Sequence, residues 1–212
     1  MAIVAALFDL DGTLLDSEAY IHGAFRAVLA GAGAPAASPA ALRGVIGHAL
    51  EECYRQLAPG LDAHALCEAH RQWQSRHLDM VRAMPGAHAL LDALRSTGMR
   101  LAVVTNRSRR SSIAPLGPVD LLARVEEVGA SADVTRQKPD PEPVRLALAR
   151  LEVAAACAVM VGDTAVDIAA GRAAGTRTVA VDFGRRHASV APERPDAIVH
   201  ALDELRTLFA EW

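Results

Sequence analysis

Short apolar runs, each closed by an Asp, Thr or Gly, recur along the chain: Ala2 to Phe8, Leu101 to Val104, Ala158 to Val161 and Thr178 to Val181, with a further one at Val125 to Val128. Runs that are apolar at nearly every position predict strands buried on both faces. Between them the apolar residues fall at helical spacing. Gly86 to Ser96 places Leu90, Leu91 and Leu94 on one side, and Glu142 to Leu151 does the same with Val144, Leu146, Leu148 and Leu151. Strand alternating with helix predicts an α/β fold, a Rossmann-like parallel sheet covered by helices on both faces.

The stretch from Asp16 to Pro85 breaks this rhythm, because it carries helical periodicity and no convincing strand. It predicts an inserted α-helical domain over residues 16–85, with the core formed by 1–15 and 86–212. Helices are expected from Ser17 to Leu29, Pro39 to Val45, His48 to Gln56 and Ala63 to Val81. Gly31 to Ser38 reads as a loop and Pro59-Gly60 as a turn.

Composition narrows the partners. The 212 residues are 51% hydrophobic and carry a net charge of −3, enough apolar material for a real core and no basic stripe for nucleic acid or an anionic membrane. A small soluble substrate is the expectation, taken by a monomer or homodimer. Cys53, Cys67 and Cys157 are widely spaced and form no CxxC pattern, as reduced structural thiols of a cytoplasmic protein would. The apolar run before Asp9 is too short for a signal sequence, and no segment reaches the roughly 20 apolar residues of a membrane span. Of the 22 basic residues, Lys138 alone is a lysine. That marks a position where a compact ammonium is wanted and a broad guanidinium is not.

In an open α/β sheet, ligands bind beyond the carboxyl ends of the strands. Four polar groups occupy such places: Asp9-Leu10-Asp11-Gly12-Thr13, Thr105-Asn106, Lys138, and Gly162-Asp163-Thr164 with Asp167. Singly, each could be an ordinary turn or helix cap. Together they would bring Asp9, Asp11, Asp163 and Asp167 to one edge, where two carboxylates about 4 Å apart repel by roughly 4 kcal/mol at an effective dielectric near 20. A hard cation such as Mg²⁺ offsets that repulsion, since it takes oxygen ligands and pairs with a substrate phosphate. Thr105, the amides after it and Lys138 would supply donors to the same phosphate.

These residues carry a family resemblance. FDLDGTLLDSE at Phe8 to Glu18, VVTN at Val103 to Asn106, KPDPEP at Lys138 to Pro143 and VGDTAVD at Val161 to Asp167 resemble, in order and spacing, the motifs of the haloacid dehalogenase superfamily. The nearest pattern is that of its phosphoglycolate phosphatase-like members with a helical cap. The resemblance implies Asp9 as nucleophile forming an aspartyl-phosphate, and Asp11 as general acid and then base. It implies Mg²⁺ at Asp9, the Asp11 carbonyl and Asp163, with Asp167 at or just behind the metal. Thr105, Asn106 and Lys138 would hold the transferring phosphoryl group, with Gly12 and Thr13 in the same substrate-binding motif. Asp11 argues for phosphoryl transfer over dehalogenation, and a cap without lysine excludes Schiff-base chemistry there. A mutase of the β-phosphoglucomutase type and a receiver-like signalling domain are the competing readings. Thr13 leans away from the first, and the helical insertion and the second acidic motif from the other.

In the cap, Leu42 to His48 resembles a substrate-facing loop. There Gly44 and Gly47 would allow close backbone approach, and Arg43 could meet a substrate carboxylate. Glu18, His22 and Arg26 share a helix face, which reads as the solvent side. Trp73 and Trp212 read as packing residues.

Overall fold

A computed structural model describes residues 2–46, 48–183 and 191–212. Gly47, one of the two expected loop glycines, therefore lies outside the described residues.

Six strands form one parallel sheet: β1 (Ala5–Phe8), β4 (Arg100–Val104), β5 (Glu127–Gly129), β6 (Ala158–Gly162), β7 (Arg177–Val181) and β8 (Ala197–Val199), in the spatial order β5-β4-β1-β6-β7-β8. β1 pairs with β4 on one side, Leu7 opposite Ala102, and with β6 on the other, Leu7 opposite Met160. Alternate residues of each central strand feed opposite faces. Ala6, Phe8, Val103 and Val161 pack towards α5 (Ala87–Ser96) and the last helix, α9 (Glu204–Glu211). Ala5, Leu7, Val104 and Met160 pack towards α7 (Glu142–Leu151) and α8 (Ala165–Ala174). The continuous apolar runs are thus explained: neither face of the inner strands meets water.

The chain leaves the core through a two-stranded antiparallel ribbon that the sequence pattern did not reveal. β2 (Leu15–Asp16) pairs with β3 (Arg82–Ala83), Leu15 opposite Ala83 and Asp16 opposite Arg82. Between these strands lie α1 (Glu18–Gly31), α2 (Pro39–Val45), α3 (Leu50–Leu57) and α4 (Ala63–Arg76). They bury a cluster of their own, in which Phe25, Leu29, Leu42, Tyr54 and Leu66 meet. Cys53 and Cys67 are buried here, and none of the three cysteines is in a disulfide. α4 is shorter than expected and ends at Arg76 rather than Val81. The His77 ring meets the Trp73 carbonyl at 2.7 Å, and a 3₁₀ turn at Leu78–Met80 then leads into the ribbon. No helix among the described residues is long and apolar enough to cross a membrane.

Candidate active site

The adjacent ends of β1, β4 and β6 deliver three of the four expected groups to one edge of the sheet, and the loop between β5 and α7 delivers Lys138. Asp9 is fixed at its backbone by donating its amide to the Val161 carbonyl at 2.8 Å. The carboxylates of Asp9, Asp163 and Asp167 are all buried, with ligand atoms within 4.8 Å of one another. Two glycines make room for them. A Cβ on Gly12 would stand 2.3 Å from Asp163 Oδ2, and one on Gly162 would stand 2.3 Å from Asp167 Cβ.

Lys138 sits inside this acidic group. Its ammonium donates to Asp9 Oδ1 at 2.7 Å, Asp167 Oδ1 at 2.6 Å and the Val104 carbonyl at 2.7 Å, which uses all three N–H bonds. Burial would lower this ammonium, but Asp167 and Asp9 outweigh it and hold it above its ordinary value. Burial also pushes the Asp9 carboxyl up to about 7, against the opposing pull of Lys138. Asp9 keeps Oδ2 without a hydrogen-bond partner among the described residues. Asp167 is saturated: its Oδ2 accepts from the Thr164 amide at 3.0 Å and the Thr164 hydroxyl at 2.6 Å.

Asn106 and Thr105 have positioning contacts. Asn106 donates to the Lys138 carbonyl and accepts from the Lys138 amide, both at 2.9 Å, so its amide clamps the lysine loop. Thr105 Oγ1 accepts from the Arg107 amide at 3.2 Å. Arg107 is the residue that sequence reasoning missed. Its guanidinium donates to Asp11 Oδ1 at 2.9 Å and Oδ2 at 3.2 Å, and to Gln74 Oε1 of α4 at 3.1 Å, while lying over the Tyr20 ring of α1. Ser17 also donates to Asp11, at 2.6 Å. A basic residue directly after the Thr-Asn pair was the available signal, but one arginine among 21 gave no reason to choose it.

These groups open onto a cavity of about 150 Å³ between the sheet edge and the four helices, lined by Asp9, Asp11, Thr105, Arg107 and Lys138 on one side and by Ile21, Phe25, Ile46, His48, His70 and Arg71 on the other. Residues 6–181 match the family model of the haloacid dehalogenase-like hydrolases. The chain belongs to this family. This hydrolase is 39% identical to a plasmid-borne phosphoglycolate phosphatase of Cupriavidus necator, over 96% of this chain and 92% of the relative. It is 31% identical to pyrophosphatase PpaX of Bacillus velezensis, over 96% and 94%. Its fold is similar to that of CbbY from Rhodobacter sphaeroides, solved in complex with phosphate, with a TM-score of 0.85 at 26% identity and 96% of each chain covered.

Three expected positions differ in the structure of this hydrolase. Arg43 is exposed on α2 and does not line the cavity, because the turn that buries Leu42 points Arg43 outward. Thr13 is fully buried away from the cavity, and its hydroxyl has no partner among the described residues. His22, expected on a solvent face, is buried, 3.9 Å from Glu18. Arg26 is exposed as expected. Trp73 packs, stacking on His77 and filling the space over Gly23.

Proposed function

We propose that this hydrolase is a Mg²⁺-dependent phosphatase of a small phosphate monoester, phosphoglycolate foremost, acting through an aspartyl-phosphate on Asp9. The observation that carries the reading is the buried trio Asp9, Asp163 and Asp167. One ammonium shared by two of the carboxylates leaves an excess of negative charge, and an all-oxygen donor set fits a hard cation. Asp9, Asp163 and the Asp11 carbonyl would hold Mg²⁺. Asp167, with both oxygens engaged, stands behind and orients Lys138. Bound there, the ion stabilises negative charge on the phosphoryl oxygens beside the carboxylates.

The residues of the chain divide the reaction between them. Asp9 Oδ2 attacks phosphorus as the bond from phosphorus to the leaving oxygen breaks, and Asp11, having taken up a proton in place of one of its Arg107 or Ser17 contacts, gives it to that oxygen. Asp11 then takes a proton from water, whose oxygen attacks phosphorus. The Asp9–phosphorus bond breaks and inorganic phosphate departs. Lys138 and Thr105 stabilise charge on the transferring group, Lys138 by exchanging one of its present partners. Residues 16–85 act as a cap that excludes water, with the β2–β3 ribbon and Asp16 as its hinge. The phosphoglycolate phosphatase and the pyrophosphatase among the relatives support phosphate release.

Turnover of phosphoglycolate and of an aryl phosphate is expected to require Mg²⁺, to stop on chelation, and to fall at least about 10⁴-fold in Asp9→Asn, which keeps the shape and loses the nucleophile. Wild-type turnover in that variant would remove Asp9 from the reaction.

A further inference from the structure

The helical wall of the cavity contains a histidine that no step above uses. His70 of α4 is 2% exposed, lies edge-on to Phe25 at a ring separation of 4.7 Å, and holds Nδ1 2.8 Å from the Tyr54 hydroxyl. Tyr54 is fully buried, and its hydroxyl has no other partner among the described residues. A buried phenolic proton with one neighbour has to be donated to that neighbour, since leaving it unmatched costs the full desolvation of the group. Nδ1 is therefore the acceptor, and the proton of the neutral ring sits on Nε2. Burial pulls the His70 imidazolium down to about 3, with the Arg107 and Arg71 charges acting the same way, so the ring is neutral at physiological pH.

The rest of the wall gives this donor a context. Ile21, Phe25 and Ile46 are apolar, Arg71 is cationic and exposed and pairs with Glu68 at 2.9 Å, and Gln74 Oε1 is occupied by Arg107. Among the described residues, no Asp or Glu of the four helices lines the cavity. A leaving group ending in an ammonium would meet no carboxylate on this helical wall, whereas one ending in an anionic oxygen would find a donor and, where Arg71 exchanges Glu68 for it, a cation.

We propose that His70, held by Tyr54, is a specificity-determining residue whose Nε2–H donates to a terminal oxygen of the leaving group, so that with Arg71 it selects phosphate esters bearing a carboxylate. This rests on the phosphatase reading and names the substrate class of that site. The test compares kcat/KM for phosphoglycolate with that for ethyl phosphate, which has a methyl group in place of the carboxylate. The wild type is expected to prefer phosphoglycolate. His70→Phe should cut that preference about 10- to 100-fold, the range for a hydrogen bond to a charged group. Tyr54→Phe, which releases the ring, should cut it about 3- to 10-fold.

Nitrogen-15 NMR of the wild-type imidazole at pH 7 should show Nε2 protonated and Nδ1 bare, and Tyr54→Phe should show a tautomer mixture. A merely structural histidine would change folding without changing the preference. Equal hydrolysis of both esters by the wild type, an undiminished preference in His70→Phe, or a proton on Nδ1 would overturn the proposal while leaving the phosphatase intact. Hydrolysis of neither ester would overturn this proposal, and only if the aryl phosphate also stays intact would it overturn the phosphatase reading with it.

Discussion

Lys138 donates to three oxygens from three different elements, Asp9 after β1, Val104 in β4 and Asp167 in α8. A primary ammonium suits such a convergent set, because its three N–H bonds diverge from one atom. A guanidinium spreads its donors across a plane and cannot enter a space this compact. Lys138→Arg is therefore expected to lower kcat on an aryl phosphate by about 10²-fold or more. Lys138→Ala should in addition destabilise the fold by about 3–5 kcal/mol, since it strands buried carboxylates. Both are read from turnover and urea midpoints, and near-normal turnover in Lys138→Arg would contradict this account. The importance of this position was legible beforehand as the one lysine in an arginine-rich chain. What could not be read was its orientation, since a phosphate ligand and a bridge between two carboxylates ask for the same residue type. Arg43 could not be oriented for a related reason. Its position on a helix was right, but which side faces the cavity depends on where Leu42 and Val45 find their core, and the segment's periodicity does not contain that.

Among the elements, β1, β4, β6 and β7 were readable because burial on both faces leaves long apolar runs. The ribbon was not, because Leu15–Asp16 and Arg82–Ala83 have two residues each, too few for any period to register. β8, three residues at the sheet edge with two of them half-buried, was equally faint. The least visible element-level feature is the link between the helices and the core. Arg107 joins Asp11 to Gln74, and Tyr20 both lies under its guanidinium and donates to the Gln74 carbonyl at 3.0 Å. Position of the helices and orientation of Asp11 are then coupled through one side chain. Arg107→Met should reduce kcat about 10-fold or more and Gln74→Leu by less. The double variant should resemble Arg107→Met alone, because the second change removes a contact already lost. Additive losses on the two sides of that cycle, measured as kcat with a single ester, would mean the two contacts work independently.

For the molecule as a whole, two buried groups pull the pH dependence of stability in opposite directions. His70 titrates near 6.5 when unfolded and at about 3 when folded. Below 6.5 the unfolded chain therefore binds a proton that the folded chain refuses, and stability falls with acidification by about 2 kcal/mol between pH 7.5 and 5. Asp9 behaves in the reverse sense over the same interval. Its folded value of about 7 lies above the unfolded 3.8, so the folded chain gains the proton first and is stabilised as pH drops. The two contributions are of similar size and would nearly cancel in a metal-free wild type. Replacing Asp9 by Asn removes the second contribution and keeps the first. Metal-free Asp9→Asn should consequently lose stability from pH 7.5 to 5, and Asp9→Asn with His70→Phe should lose about 2 kcal/mol less over that range, whatever the packing change does to the absolute value. Carboxylates held below their ordinary values, such as Asp133 and Glu142, release their contribution at lower pH and drop out of the difference. Urea midpoints at four pH values for the two variants decide the matter. Parallel curves would mean that His70 becomes protonated in the fold as readily as in the open chain, and that its ring is not buried against Phe25 and Tyr54.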